Sequence, residues 1–152
     1  MQPVRTAVIG VGYLGRFHAQ KYASLPEARL VAVVDPSREA RDRVAAEVGC
    51  RAVADFREIL GDVEAVSIAT PTPLHFPIAS ECLEHGLHVL VEKPVTETPG
   101  QARGLIAAAA RRDRVLQVGL PVEADGAGGV KGGETVVLSP PALVTTTSAG
   151  PS

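Results

Sequence analysis

Six residues near the start constrain this chain more than any other feature. Gly10-Val11-Gly12-Tyr13-Leu14-Gly15 follows directly on a β-branched apolar run, Val4–Ile9, and leads into a helical pattern from Leu14 to Ser24. Glycine is common and a G-x-G-x-x-G string is short, so the string alone says little. Its weight comes from context: a strand before, a helix after, in the first β-α-β unit of the chain. In that setting Gly10 permits the tight turn, Gly12 lets the backbone approach a diphosphate, and Gly15 lets the helix pack closely on the strand. Unpaired N–H groups and the positive end of the helix dipole favour an anion there. The loop is therefore expected to hold a dinucleotide, with Tyr13 and Leu14 among its contact residues.

The rest of the first 119 residues repeats the same alternation. Apolar runs recur at Leu30–Val34, Ala65–Ala69, Leu87–Val91 and Val115–Val118, with a weaker one at Arg51–Val53. Helical spacing occupies Arg38 to Val48, Pro73 to His85 and Gly100 to Arg112, with a short stretch at Asp55–Leu60. Strands that are apolar along their whole length are buried on both faces, and alternation with helices implies right-handed β-α-β crossovers. The expected fold is an α/β, Rossmann-type doubly wound parallel sheet, a single domain over residues 1–119. Asp55 and Thr72 read as N-caps, Pro73 and Pro99 as first-turn prolines, and Gly49 and Gly86 as left-handed helix ends. After Gly119 the chain turns rich in Gly, Pro, Ser and Thr, so residues 120–152 read as a low-complexity, poorly structured tail with weak strand signals at Thr135–Leu138 and Ala142–Thr147.

Asp35 lies at the end of the second strand, twenty residues past Gly15 (15 to 35). A carboxylate there accepts hydrogen bonds from the adenosine ribose hydroxyls and repels a 2′-phosphate, so NAD is favoured over NADP. Arg38 is the counterweight, because a guanidinium turned inward would partner that phosphate. Cys50 and Cys82 belong to no C-x-x-C pair and read as reduced thiols. A net charge of −2, with basic residues scattered among acidic ones, gives no footprint for nucleic acid. There is no secretory leader and no apolar run near the ~20 residues of a membrane span, so a cytoplasmic location is expected.

Three later segments carry a resemblance. Ala69-Thr70-Pro71-Thr72-Pro73-Leu74-His75 follows the fourth strand, Glu92-Lys93-Pro94 the fifth, and Gln117-Val118-Gly119 ends the sixth. With AVIGVGYLG and VVDPS they resemble the Gfo/Idh/MocA family of NAD(P)-dependent oxidoreductases, over residues 4–119. The wording VEKPVTET and LQVG is similar to the branch of UDP-N-acetylglucosamine 3-dehydrogenase-like enzymes. The resemblance implies that Thr70, Pro71 and His75 line the dinucleotide near its central ribose and phosphates, and that Glu92 and Lys93 lie beside the nicotinamide ribose. It makes Lys93 the catalytic lysine, bonding the reacting hydroxyl of a sugar or nucleotide-sugar, and places a cis peptide before Pro94. His18, by contrast, reads as a helical packing residue.

The family carries a second domain with the substrate pocket, most oligomer contacts and a catalytic Asp/His pair. Nothing after Gly119 resembles its opening motif, and no His follows His88. The expectation is a truncated or frame-shifted form, with two function classes in play: an NAD-dependent dehydrogenase of a sugar or nucleotide-sugar hydroxyl, or a non-catalytic dinucleotide-binding or sensing module. Assembly into a homo-oligomer is left open.

Overall fold

A computed structural model describes residues 2–119 together with two strands at 135–139 and 143–147. Six parallel strands form the body: β1 (Val4–Ile9), β2 (Ala28–Val34), β3 (Arg51–Val53), β4 (Ala65–Ile68), β5 (His88–Glu92) and β6 (Leu116–Gly119). Their lateral order is β3-β2-β1-β4-β5-β6; β7 (Thr135–Ser139) adds antiparallel to β6, and β8 (Leu143–Thr147) antiparallel to β7. The strand signals expected in the tail thus coincide with β7 and β8, which extend the sheet edge.

Helices cover both faces, as the unbroken apolar strands require. On one side α1 (Tyr13–Ser24) and α2 (Arg38–Val48) pack over Val8 and Val33, with Ala19, Val44 and Ala45 filling the layer. On the other, α3 (His75–Glu84) and α4 (Pro99–Arg112) cover Ala7, Ile9, Val66, Ile68, Val89 and Val91 through Ala79, Leu83, Leu105 and Ala108. Successive β1 residues alternate between the two layers, so one strand anchors both.

Local chemistry sets the boundaries. Asp55 caps a short 3-10 turn, Phe56–Ile59, in a capping box with Glu58. Thr98 caps α4 with Pro99 at its first position, and Gly49 ends α2 at φ 75°. Gly86 follows α3 at φ 80°. One cap differs from expectation: Thr72 opens a 3-10 turn, Thr72–Leu74, and its side chain caps nothing. Pro73 inside that turn supplies no N–H, and the α-helix proper begins only at His75. Among the described residues no helix is long and apolar enough to cross a membrane.

Candidate dinucleotide site

Strand order reverses at β1 and β4: connections run outward to β2 and β3 on one side and to β5 and β6 on the other. Neighbouring loops therefore leave the carboxyl ends of β1 and β4 in opposite directions and open a crevice between them. The loops after β1, β2, β4 and β5 meet at this crevice.

The first loop is built by close approach. Gly10 has φ 88°, and a Cβ on it would sit 2.8 Å from the backbone of Ala69 and Thr70. Gly15 is tighter still, because its Cβ would lie 1.7 Å from the Gly10 carbonyl oxygen. Helix and strand can touch here only through glycine. Gly12, the N-cap of α1, is the opposite case: a Cβ there meets nothing within 4 Å, and no side chain caps the helix. The loop thus presents an open cradle at the amino end of a twelve-residue helix. That geometry fits a diphosphate on the helix dipole. Tyr13 and Leu14 start the helix; Tyr13 is exposed and stacks edge-on against Phe17.

Asp35 ties the second loop to the first. One carboxylate oxygen accepts the Val11 N–H at 3.0 Å and the other the Ser37 N–H at 2.8 Å. Two backbone donors thus orient a carboxylate whose remaining lone pairs can accept ribose hydroxyls. Arg38 lies outside this arrangement, highly exposed and paired with Asp42 one turn along α2 at 3.5 Å. The guanidinium that does pack on the Asp35 turn is Arg41, donating to the Asp35 and Pro36 carbonyls at 3.2 and 3.1 Å. Sequence reasoning passed over Arg41, although its place one turn into α2 on the loop-facing side was readable.

The third and fourth loops are joined by His75. It is 1% exposed, with Nε2 2.8 Å from the Thr70 carbonyl and Nδ1 2.8 Å from the Pro94 carbonyl. One ring therefore links the loop after β4 to the turn after β5, in which the Lys93–Pro94 peptide is cis. Pro71 directly precedes the 3-10 turn that delivers His75. Lys93 is exposed and has no ion pair among the described residues. Glu92 is buried, and one of its oxygens meets Nε2 of His18. The contact makes His18 part of the site, which its helical spacing alone did not signal. Among the described residues two buried polar atoms, Thr70 Oγ1 and Glu92 Oε2, have no hydrogen-bond partner. Orphaned buried acceptors at a crevice are what a bound ligand with several donors would satisfy.

The two thiols stand apart from this chemistry: burial raises Cys50 and pushes Cys82 up to about 12. Neither is a ready thiolate. The described residues contain no group of three His, Cys, Asp or Glu fit to hold a metal.

With the geometry in place, comparison with known proteins converges. Residues 4–120 match the family described as "Oxidoreductase family, NAD-binding Rossmann fold". A UDP-N-acetylglucosamine 3-dehydrogenase of Acidithiobacillus ferrooxidans is 47% identical over 116 residues, 76% of this chain and 36% of that protein. Its solved structure superposes with a TM-score of 0.73, covering 78% of this chain and 38% of that one. An inositol 2-dehydrogenase of Mycolicibacterium vanbaalenii is 43% identical over 100 residues, 63% of this chain and 29% of its own length. The structure of GenD2 from gentamicin A biosynthesis in complex with NAD is similar at 37% identity and a TM-score of 0.74, covering 76% of this chain and 34% of that one. The chain spans about a third of the length of the relatives it matches.

Proposed function

Because this chain belongs to the Gfo/Idh/MocA oxidoreductase family, through its NAD-binding Rossmann fold, we propose that it is the nucleotide-binding part of a dehydrogenase acting on a sugar or nucleotide-sugar hydroxyl. The observation that carries the reading is the crevice at β1 and β4, with an open cradle at Gly12 beside a carboxylate fixed by two backbone amides. The diphosphate would rest on the amides from Gly10 to Gly15, and Asp35 would accept the adenosine ribose hydroxyls. Thr70, Pro71 and His75 would line the central part of the dinucleotide, and Glu92 and Lys93 its nicotinamide ribose. Arg38 would reach an adenosine phosphate only by leaving Asp42, which supports NAD over NADP.

NAD, when bound, supplies the carbon that accepts the hydride. The chain's own contribution at that end is Lys93. Its side chain, as the free amine, would accept the proton leaving the reacting hydroxyl, and the ammonium so formed would stabilise negative charge on that oxygen. A neighbouring cation of this kind is useful only where the substrate carbon is held at near-attack distance. We assign residues 1–119 to the dinucleotide-binding domain and residues 120–152 to a low-complexity tail. The reading carries a cytoplasmic location and small-molecule partners, with neither nucleic acid nor membrane; a homo-oligomer would be seen as doubled mass in solution.

A second reading is a dinucleotide-binding module without turnover, in which the same cradle and carboxylate hold the ligand and Lys93 takes no part. Hydride transfer followed at nicotinamide absorbance with candidate UDP-sugars separates the two. The primary test is calorimetric titration with NAD and NADP. NAD is expected to bind and to be preferred; a preference for NADP of about tenfold or more would overturn the role of Asp35.

A further inference from the structure

We propose that His18 is a positioning residue for the nicotinamide half of the dinucleotide, acting through Glu92. The inference rests on the reading above that NAD lies in this crevice.

His18 stands on the phosphate-loop helix α1, three residues after Gly15, and Glu92 ends β5 immediately before Lys93. Seventy-four residues separate them in sequence, yet Nε2 of His18 hydrogen-bonds Oε1 of Glu92. The pair lies largely out of water, the His18 side chain 18% exposed and that of Glu92 5%. An ionised carboxylate can only accept, so in that state the imidazole carries its proton on Nε2. Gly119 is the register partner of Glu92 on β6; a Cβ there would be tight only against Leu90 Cδ2, at 3.2 Å, and in ordinary contact with Oε1, at 3.7 Å.

Two consequences follow from this contact. It fixes the distance between the helix that presents the diphosphate amides and the turn that presents Lys93. It also spends one carboxylate oxygen on a protein donor and leaves Oε2 buried without a partner among the described residues. A buried acceptor in that condition carries a standing cost that an incoming O–H or N–H relieves. Such donors sit at the nicotinamide end of the dinucleotide, on its ribose hydroxyls and its carboxamide. His18 would thus touch no ligand, but would hold the oxygen that does. A simple strut between helix and sheet would have needed no polar pair with a spare acceptor.

The test titrates the 152-residue protein and its His18 variants with three ligands: NAD, ADP-ribose and ADP. His18→Ala should weaken NAD about five- to tenfold, the loss expected for one hydrogen bond, and leave ADP within about twofold. His18→Gln, which keeps an N–H donor at similar reach, should restore NAD to within about threefold of the parent. If His18→Ala does not fold, His18→Leu fills the volume without a donor and takes its place. ADP-ribose following NAD assigns the ribose hydroxyls to Oε2; ADP-ribose following ADP assigns the carboxamide. Equal losses for NAD and ADP, no loss at all, or equally weak Ala and Gln variants would overturn the role of His18 alone. A parent protein that binds neither NAD nor ADP would overturn the functional reading beneath it.

Discussion

Replacing Gly12 by Ala separates the fold from the site in a way few substitutions can. On the protein side the new methyl carbon meets nothing within 4 Å, and the residue has φ −70° and ψ −153°, an extended conformation rather than a left-handed one. The expected structural cost is that of a poorer N-cap, about 0.5–1 kcal/mol, or a fall in Tm of roughly 2–5 °C for a domain of this size. The binding cost is larger. A diphosphate displaced by the methyl group loses one amide hydrogen bond to a charged oxygen, worth about 1.5–3 kcal/mol, so NAD should weaken about 10- to 100-fold. Gly15→Ala provides the contrast. Its Cβ starts 1.7 Å from the Gly10 carbonyl oxygen, against an ordinary contact of 3.4 Å or more, so helix and strand must part by roughly 1.7 Å. Overpacking against backbone outweighs the gain in helix propensity of up to ~1 kcal/mol, leaving a net loss of about 2 kcal/mol and a Tm lower by roughly 8 °C. Calorimetry with NAD and thermal melts followed by circular dichroism read both variants. If Gly12→Ala binds NAD within twofold of the parent, the diphosphate does not lie on this loop; if Gly15→Ala is as stable as the parent, the close approach of α1 to β1 is misread.

Three further outcomes follow from the same contacts. Asp35→Ala removes the acceptor for the ribose hydroxyls and leaves the Val11 and Ser37 amides unpaired; NAD affinity should drop about tenfold while NADP affinity holds or rises, and parallel titrations would expose a change common to both cofactors as a mere loop defect. His75→Ala removes a buried ring and both of its links, so the midpoint of urea unfolding should fall by an amount equivalent to about 2–4 kcal/mol; an unchanged midpoint would mean that the two loops do not depend on it. Burial first, and the Arg114 guanidinium second, push His88 below its ordinary 6.5, and its Nδ1 accepts the Val115 N–H at 3.0 Å. Below pH 6.5 the unfolded chain takes up a proton that the folded chain resists, so this contribution is present above that pH and lost as pH falls beneath it. His88→Gln should flatten the stability profile there, and an identical slope in the variant would refute the assignment.

Much of this architecture could be read from the residues because its signals are local and repeated. Strands β1 and β3 begin and end where the apolar runs do, and the Asp55 and Gly49 boundaries follow from side-chain chemistry that needs no partner element. The loop glycines were legible for the same reason, since the constraint on each is steric and lies within one β-α unit. What escaped was long-range. The His18–Glu92 pair depends on how α1 is rotated against the sheet, which a helical repeat does not fix to the angle of a single side chain. Thr72 misled through its type: a good cap residue, followed by a proline that forces a 3-10 turn and moves the helix start to His75.

The long-range contacts share a pattern that bears on how the site binds. Asp35 joins the end of β2 to the phosphate loop, His75 joins the loop after β4 to the turn after β5, and His18 joins that turn back to the phosphate-loop helix. Each link is polar, partly or wholly buried, and crosses between loops that leave different strands. Loops left independent would have to be ordered by the ligand, at roughly 1–2 kcal/mol per residue fixed, and affinity would fall accordingly. Here the ordering is done within the folded chain, around two buried polar atoms, Thr70 Oγ1 and Glu92 Oε2, that the described residues leave without partners. Ligand binding then adds hydrogen bonds without first paying for the loops. On the proposed reading the crevice is a preformed mould for an extended, donor-rich ligand with a diphosphate at its centre, and the sheet reversal at β1 and β4 is what allows one edge of the fold to assemble it.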